Sequence, residues 1–191
     1  MKEQQELLPW FALHVQVGRE KHVAALLRNK GYFEFLPLYR ARRRWSDRYK
    51  DVELALFPGY LFCRFDPLRR LPILTTPGVR HIVGAGKLPL PVSEHEVEAV
   101  RRIVSSELSS LPWPFLDVGD MVRVEEGPLA GLEGLLIRIR NRHRLVVSVT
   151  LLQRSVAVEI DRAWVRPLGA PRPDGLFPDR PVYPPCLHYS R

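Results

Sequence analysis

Around residues 109–115 the chain changes character, and that change limits what it can fold into more than any other feature. Before it, apolar residues recur at both helical and strand spacing; after it, only short segments of strand spacing remain. The segment itself, SSLPWPF, joins small residues to two prolines, which cannot extend a helix, and it reads as a linker over residues 109–116. Two units are therefore expected: a mixed α/β domain over residues 1–108 and an all-β domain over residues 117–168.

Within the first unit, residues 10–16 (WFALHVQ) are rich in aromatic and aliphatic side chains and precede Gly18, the pattern of a strand that ends in a turn. A helix is expected over residues 20–30. Val23, Leu26 and Leu27 recur at helical spacing, Arg28 and Lys30 fall in the last turn, and Gly31 can take the left-handed conformation that closes a helix. Residues 32–39 read as extended, and Pro37 places them at a sheet edge because proline lacks the amide that a central strand donates. Residues 60–65 (YLFCRF) follow a Phe57-Pro58-Gly59 turn and are the best candidate for a central strand.

Asp66-Pro67 can cap and open a helix, which Pro72 is expected to interrupt. Residues 79–83 give a last strand. Ser93 then opens a helix with three separate signals: a capping box with Glu96, a hydrophobic staple of Val92 and Val97, and an apolar stripe of Val97, Val100, Val104 and Leu108. Beyond the linker, residues 121–125, 132–139, 145–151, 155–160 and 164–166 read as five short strands, enough for a small barrel. Prolines crowd residues 169–191 and oppose regular pairing, so this segment reads as a disordered or extended tail.

A net charge of +8 and a pI near 9.9 favour a polyanionic neighbour, because Lys and Arg neutralise phosphates and release their counterions. The charge concentrates in residues 40–50 (RARRRWSDRYK), where six basic residues stand against Asp47 alone. This segment reads as a solvated basic hairpin loop, and Arg42, Arg43, Arg44 and Arg48 as a flexible cluster that contacts phosphates without reading bases. Cys63 and Cys186 are the only cysteines and give no support to a disulfide framework or a cysteine metal site.

The six histidines are scattered, Glu94-His95-Glu96 lacks the second histidine of a zinc-protease helix, and neither a phosphate-binding glycine loop nor a nucleophile elbow is present. No catalytic residue, metal or cofactor is expected. No apolar run approaches the roughly 20 residues of a membrane-spanning helix, and residues 1–9 are polar and acidic rather than signal-like. A cytoplasmic protein is expected.

Two local patterns carry a resemblance to a known family. Leu56-Phe57-Pro58-Gly59-Tyr60-Leu61-Phe62, preceded by Trp10-Phe11, resembles the FPGY signature of the NusG N-terminal (NGN) domain. The run from Val122 through Gly127, Pro128, Leu129, Ala130 and Gly131 to Gly134 resembles a KOW motif, with Gly127-Pro128 suited to a tight turn and Gly131 and Gly134 to chain reversal and close backbone approach. KOW domains also occur in ribosomal proteins, so this half alone leaves polymerase binding and RNA binding open. Together, in order, the patterns cover residues 10–168.

The resemblance implies an α+β NGN domain, an antiparallel sheet flanked by helices, followed by an all-β SH3-like KOW barrel, in a monomeric transcription elongation and antitermination factor that binds RNA polymerase. Trp10, Phe57 and Tyr60 match the positions that dock the β′ clamp helices, where aromatics offer large rigid surfaces. Thr75 and Thr76 fall where the specialised paralogue RfaH touches the β gate loop with a His-Thr-Thr segment, although Leu74 departs from it. Arg19, Lys21 and Lys30 are further candidates for touching non-template DNA.

In the KOW domain, Leu151, Leu152 and Arg154 match the loop that meets a small-subunit ribosomal protein or Rho. Leu152 stands where housekeeping members carry an aromatic and Gln153 where they carry Gly. These departures, the two threonines and the Pro-rich tail lean the reading towards an RfaH-like paralogue. The alternative is a KOW-containing RNA-binding or ribosome-associated protein, for which Arg138, Arg140, Arg142, His143 and Arg144 form a basic turn.

Overall fold

The computed structural model describes residues 8–44, 49–86, 88–114, 120–139 and 142–168. In chain order its N-terminal part holds β1 (Trp10–Val15), helix α1 (Glu20–Asn29), β2 (Phe33–Phe35), β3 (Leu38–Arg44), β4 (Tyr49–Ala55), β5 (Tyr60–Arg64) and a 3-10 turn (Pro67–Arg69). The short helix α2 (Leu71–Leu74), β6 (Val79–Ile82), β7 (Gly84–Ala85), β8 (Leu88–Pro89), β9 (Pro91–Val92) and helix α3 (Glu94–Ser105) complete it. The C-terminal part is β10 (Ser110–Pro114), β11 (Asp120–Val124), β12 (Glu133–Ile139), β13 (Arg142–Val149), β14 (Arg154–Ile160) and β15 (Val165–Pro167).

The first sheet runs β2-β5-β1-β6, with β9 also pairing β1, and all its pairs are antiparallel. β1 lies between β5 and β6 and is buried on both faces, which accounts for its unbroken apolar run. Phe11, Leu13 and Val15 join Val23, Ala24 and Leu27 of α1, whereas Trp10 and Ala12 join the cluster that holds Val97, Val100 and Ile103 of α3. Each helix thus covers one face of the sheet. β3 and β4 form a separate two-stranded hairpin.

The second sheet is all-β, with six antiparallel strands in the order β10-β14-β13-β12-β11-β15. Gly134 shows why its KOW pattern needs glycine: a Cβ there would lie 2.6 Å from the carbonyl oxygen of Val146 on the neighbouring strand. The mixed α/β architecture followed by an all-β domain agrees with the expected fold class. No helix among the described residues is long and apolar enough to cross a membrane.

Four local expectations change. Residues 110–114, read as part of a linker, form β10 and pair with β14 from Ser110↔Val158 to Pro114↔Arg154. Their prolines are tolerated because β10 is an edge strand and has no second neighbour that requires its amides. Asp66-Pro67 opens only a short 3-10 turn, as expected, with Asp66 accepting from the Leu68 amide at 2.9 Å, but Pro72 is not what ends it: Pro72 sits in the first turn of α2, where its missing amide costs no helical bond.

Ser93 caps α3 by position but makes no side-chain capping bond, and Glu96 instead accepts from the amide of Thr150 at 3.2 Å. The basic segment is strand rather than loop over most of its length, with residues 45–48 outside the described residues. The expected tail, with Cys186, also lies outside them.

Candidate functional site

The aromatic turn is held from below. Phe57 is 1% exposed and packs edge-on against Phe62, ring centroids 5.8 Å apart. Its carbonyl accepts from the Tyr60 amide at 2.9 Å, closing the turn. Gly59 occupies the left-handed region at φ +81, which strains any other residue; a Cβ there would also approach Val17 Cγ2 at 3.2 Å, a contact the exposed Val17 side chain can relieve. Its amide donates to Glu20 Oε1 at 2.9 Å and its carbonyl accepts from Val15 at 2.8 Å.

Tyr60 is half-buried, with its ring 5.1 Å from that of His14. His14 in turn lies 4.7 Å from His81, because the register pairs His14 with Tyr60 on one side and His81 on the other. Burial first, then the charges of His81 and Arg80, hold the His14 imidazole below its ordinary pKa, so a neutral ring backs Tyr60 near neutral pH.

Trp10 occupies the same face but is interior, at 1% exposed. Its indole Nε1 donates to Glu94 Oε1 at 3.2 Å, and the guanidinium groups of Arg64 and Arg101 lie 4.7 and 5.5 Å from its ring. Arg64 also pairs with Glu94 and donates to the carbonyl of Leu8. Of the three expected docking aromatics, Tyr60 is therefore the one with an accessible side chain, while Trp10 and Phe57 shape what lies beneath.

Thr75 and Thr76 differ in the same way. Thr75 is exposed, and its hydroxyl donates to the carbonyl of Leu71 at 3.0 Å. Thr76 is 2% exposed; its hydroxyl donates to Pro72 and accepts from Lys30 Nζ at 2.7 Å.

Among the basic candidates, Arg19 and Arg42 are exposed, and Lys21 pairs with Glu53 at 3.0 Å. Arg40 and Arg42 face Glu53 and Asp51 across the hairpin, whereas Arg43 and Arg44 face Lys50 and Tyr49. The acidic partners of β4 thus offset part of the charge of β3. Arg48 lies outside the described residues.

In the all-β domain, Leu151 is half-buried, Leu152 buried and Arg154 exposed. The loop that carries them turns through Gln153, whose backbone is left-handed at φ 50 and ψ 46, a conformation that favours glycine. Its side chain donates to the carbonyl of Thr150 at 2.9 Å. The loop also meets α3, through the Thr150 amide on Glu96, and Arg102 of α3 reaches the carbonyl of Ala130.

Arg142 pairs with Glu159 at 2.8 Å, and the Arg144 guanidinium lies 5.7 Å from the ring of Trp113, so these basic side chains are engaged within the domain. Burial pushes the Cys63 thiol far above its ordinary pKa, leaving it a core residue. Among the described residues, no group of three or more His, Cys, Asp or Glu is placed to hold a metal ion.

Sequence reasoning missed Glu20, His14 and Glu94. Glu20 and Glu94 resemble ordinary acidic residues in the first turn of a helix, and His14 takes its partners only when three strands align.

A family model described as transcription termination factor NusG matches residues 8–101. The transcription termination/antitermination protein NusG of Thermus thermophilus is 32% identical over 180 residues, covering 83% of this chain and 97% of that protein. The protein of the same description from Pseudomonas aeruginosa is 26% identical over 170 residues, covering 82% of this chain and 96% of its own length. A solved structure described as "Domain interaction in Thermotoga maritima NusG" shares the fold, with TM-score 0.54 and 20% identity over 86% of this chain and 99% of that one. These relatives are transcription factors and not enzymes. The FPGY turn, the KOW pattern, the shared fold and a match along nearly the whole Thermus protein agree: the chain belongs to the NusG family of transcription termination/antitermination proteins.

Proposed function

We propose that this protein is a transcription elongation and antitermination factor that acts in the cytoplasm, binds RNA polymerase through its N-terminal domain and suppresses pausing or termination. The observation that carries this reading is the turn at Phe57 to Tyr60, which is fixed by buried hydrogen bonds yet leaves the Tyr60 side chain accessible. A rigid aromatic at a half-buried site suits a protein–protein hot spot, because little conformational entropy is lost on docking.

Tyr60 docks the β′ clamp helices, and Thr75, exposed at the end of α2, faces the β gate loop. Trp10, Phe57 and Thr76 act beneath these contacts. A domain that bridges β′ and β keeps the clamp closed, and the open states that pause lose population. The β3–β4 hairpin, with Arg42, Arg43, Arg44 and Arg48, and the nearby Arg19 and Lys21 bring positive charge towards non-template DNA. The KOW loop of Leu151, Leu152 and Arg154 receives a second partner such as a small-subunit ribosomal protein.

Single-round elongation by purified RNA polymerase tests this directly. Addition of the protein shortens pauses, and neutralising the hairpin arginines weakens the effect most at low salt. Unchanged pausing together with tight binding to RNA alone would overturn the proposal in favour of the RNA-binding alternative.

A further inference from the structure

Helix α1 connects to both proposed docking elements through charged side chains at its two ends. At the first position, Glu20 is only 8% exposed, and its carboxylate accepts from the amide of Gly59, 39 residues away in sequence. At the other end, Lys30 donates to the carbonyl of Pro72 at 2.8 Å and to the Thr76 hydroxyl at 2.7 Å.

A buried carboxylate is costly unless it is hydrogen-bonded, and a buried Gly59 amide without a partner is costly too, so each satisfies the other. Lys30 likewise ties α1 to the α2–Thr76 segment, where it joins the Thr75 and Thr76 hydroxyls in donating to the Pro72 carbonyl. The corner between β1 and α1 completes the frame: Val15 donates to Gly59, and Gln16 donates to Gly78 at 2.8 Å.

We infer that α1 is a strut that sets the position of the Tyr60 contact relative to the Thr75 contact, with Glu20 and Lys30 as its positioning residues. The inference rests on the reading that both contacts dock RNA polymerase. Ten helical residues span about 15 Å, and the helix is backed by Val23, Ala24 and Leu27 in the core, so its ends do not move independently. A bridge across two polymerase subunits requires a fixed separation, and each anchor removes freedom that binding would otherwise have to suppress.

The test measures affinity of the full-length protein for RNA polymerase in two double-mutant cycles, at a temperature where unfolding shows every variant folded. Glu20→Ala weakens binding about tenfold, and Glu20→Gln, which keeps an acceptor oxygen for Gly59, retains most of it. In the first cycle, Glu20→Ala combined with Tyr60→Ala binds no worse than Tyr60→Ala alone, because Glu20 acts through that contact.

In the second cycle, Lys30→Met weakens binding by itself but adds nothing to Thr75→Ala. General loosening of the domain would give additive losses instead. Folded Glu20→Ala and Lys30→Met proteins with wild-type affinity, or additive cycles, would overturn the strut. If Tyr60→Ala and Thr75→Ala themselves leave affinity unchanged, the docking reading falls first and the strut with it. Should Glu20→Ala fail to fold, the Lys30 cycle decides alone, since Lys30 is a surface residue.

Discussion

The turn at Phe57 to Tyr60 and the loop at Thr150 to Arg154 are both proposed to meet partners, yet they are fixed by different means. The first is anchored wholly within its own domain, by Glu20 and Val15 on Gly59 and by Phe57 in the core. The second places a non-glycine residue, Gln153, in the left-handed region and donates a hydrogen bond from its Thr150 amide to Glu96 of α3. The first therefore keeps its shape whatever the other domain does, whereas the second depends in part on where the domains lie. A constitutive docking surface needs the former property; a loop that meets a second partner can accept the latter.

Changing the buried base of the first turn has the largest expected effect. Phe57→Ala removes a fully buried ring and is expected to cost about 3–5 kcal/mol in denaturant unfolding, too much for it to serve as a clean probe of binding. Gly59→Ala strains a backbone at φ +81 and crowds Val17, at about 1–3 kcal/mol in the same measurement.

The opposite exchange in the second loop, Gln153→Gly, relieves strain and is expected to raise stability by up to about 1 kcal/mol despite the loss of the side-chain bond to Thr150. Equal signs for the two exchanges would erase the distinction between the loops. Glu96→Ala removes an exposed hydrogen bond and changes stability by less than about 1 kcal/mol, but speeds amide exchange at Thr150. Unaltered exchange there would show that the loop stands without α3.

The pH dependence is smaller still and follows from His14, whose folded pKa lies below its ordinary value of about 6.5. The neutral imidazole is the form that the fold favours. Its contribution is complete above the unfolded pKa and is lost as pH falls through the lower folded value. The wild-type unfolding midpoint should decline more on acidification from neutral pH than that of His14→Gln.

Much of this fold is legible in the sequence because periodicity and punctuation coincide. β1, α1, β5 and α3 lie where the apolar patterns place them, and the Phe57-Pro58-Gly59 turn precedes its strand as read. The prolines of residues 110–114 exclude a helix but not an edge strand, so their pattern alone does not separate a linker from β10. The capping box does not form because Glu96 has a competing donor, the Thr150 amide, that no local pattern reveals.

The candidate site was legible only as a set of residue types. That Tyr60 is accessible while Trp10 and Phe57 are interior depends on Arg64 and Phe62 of β5 and Arg101 of α3 packing around them. Residues 40–50 read as a solvated hairpin loop because Asp51 and Glu53 lie just beyond them and come opposite Arg42 and Arg40 only once the hairpin closes.

Docking of RNA polymerase by Tyr60 at the buried-anchored turn is read out by the Kd of the full-length protein for RNA polymerase with and without Tyr60→Ala. Tyr60 is half-buried, so the variant should retain its fold, which unfolding curves establish first. The expected loss is about 2 kcal/mol, roughly 30-fold in affinity, as for a central interface aromatic. A folded Tyr60→Ala protein that binds polymerase with wild-type affinity would contradict it.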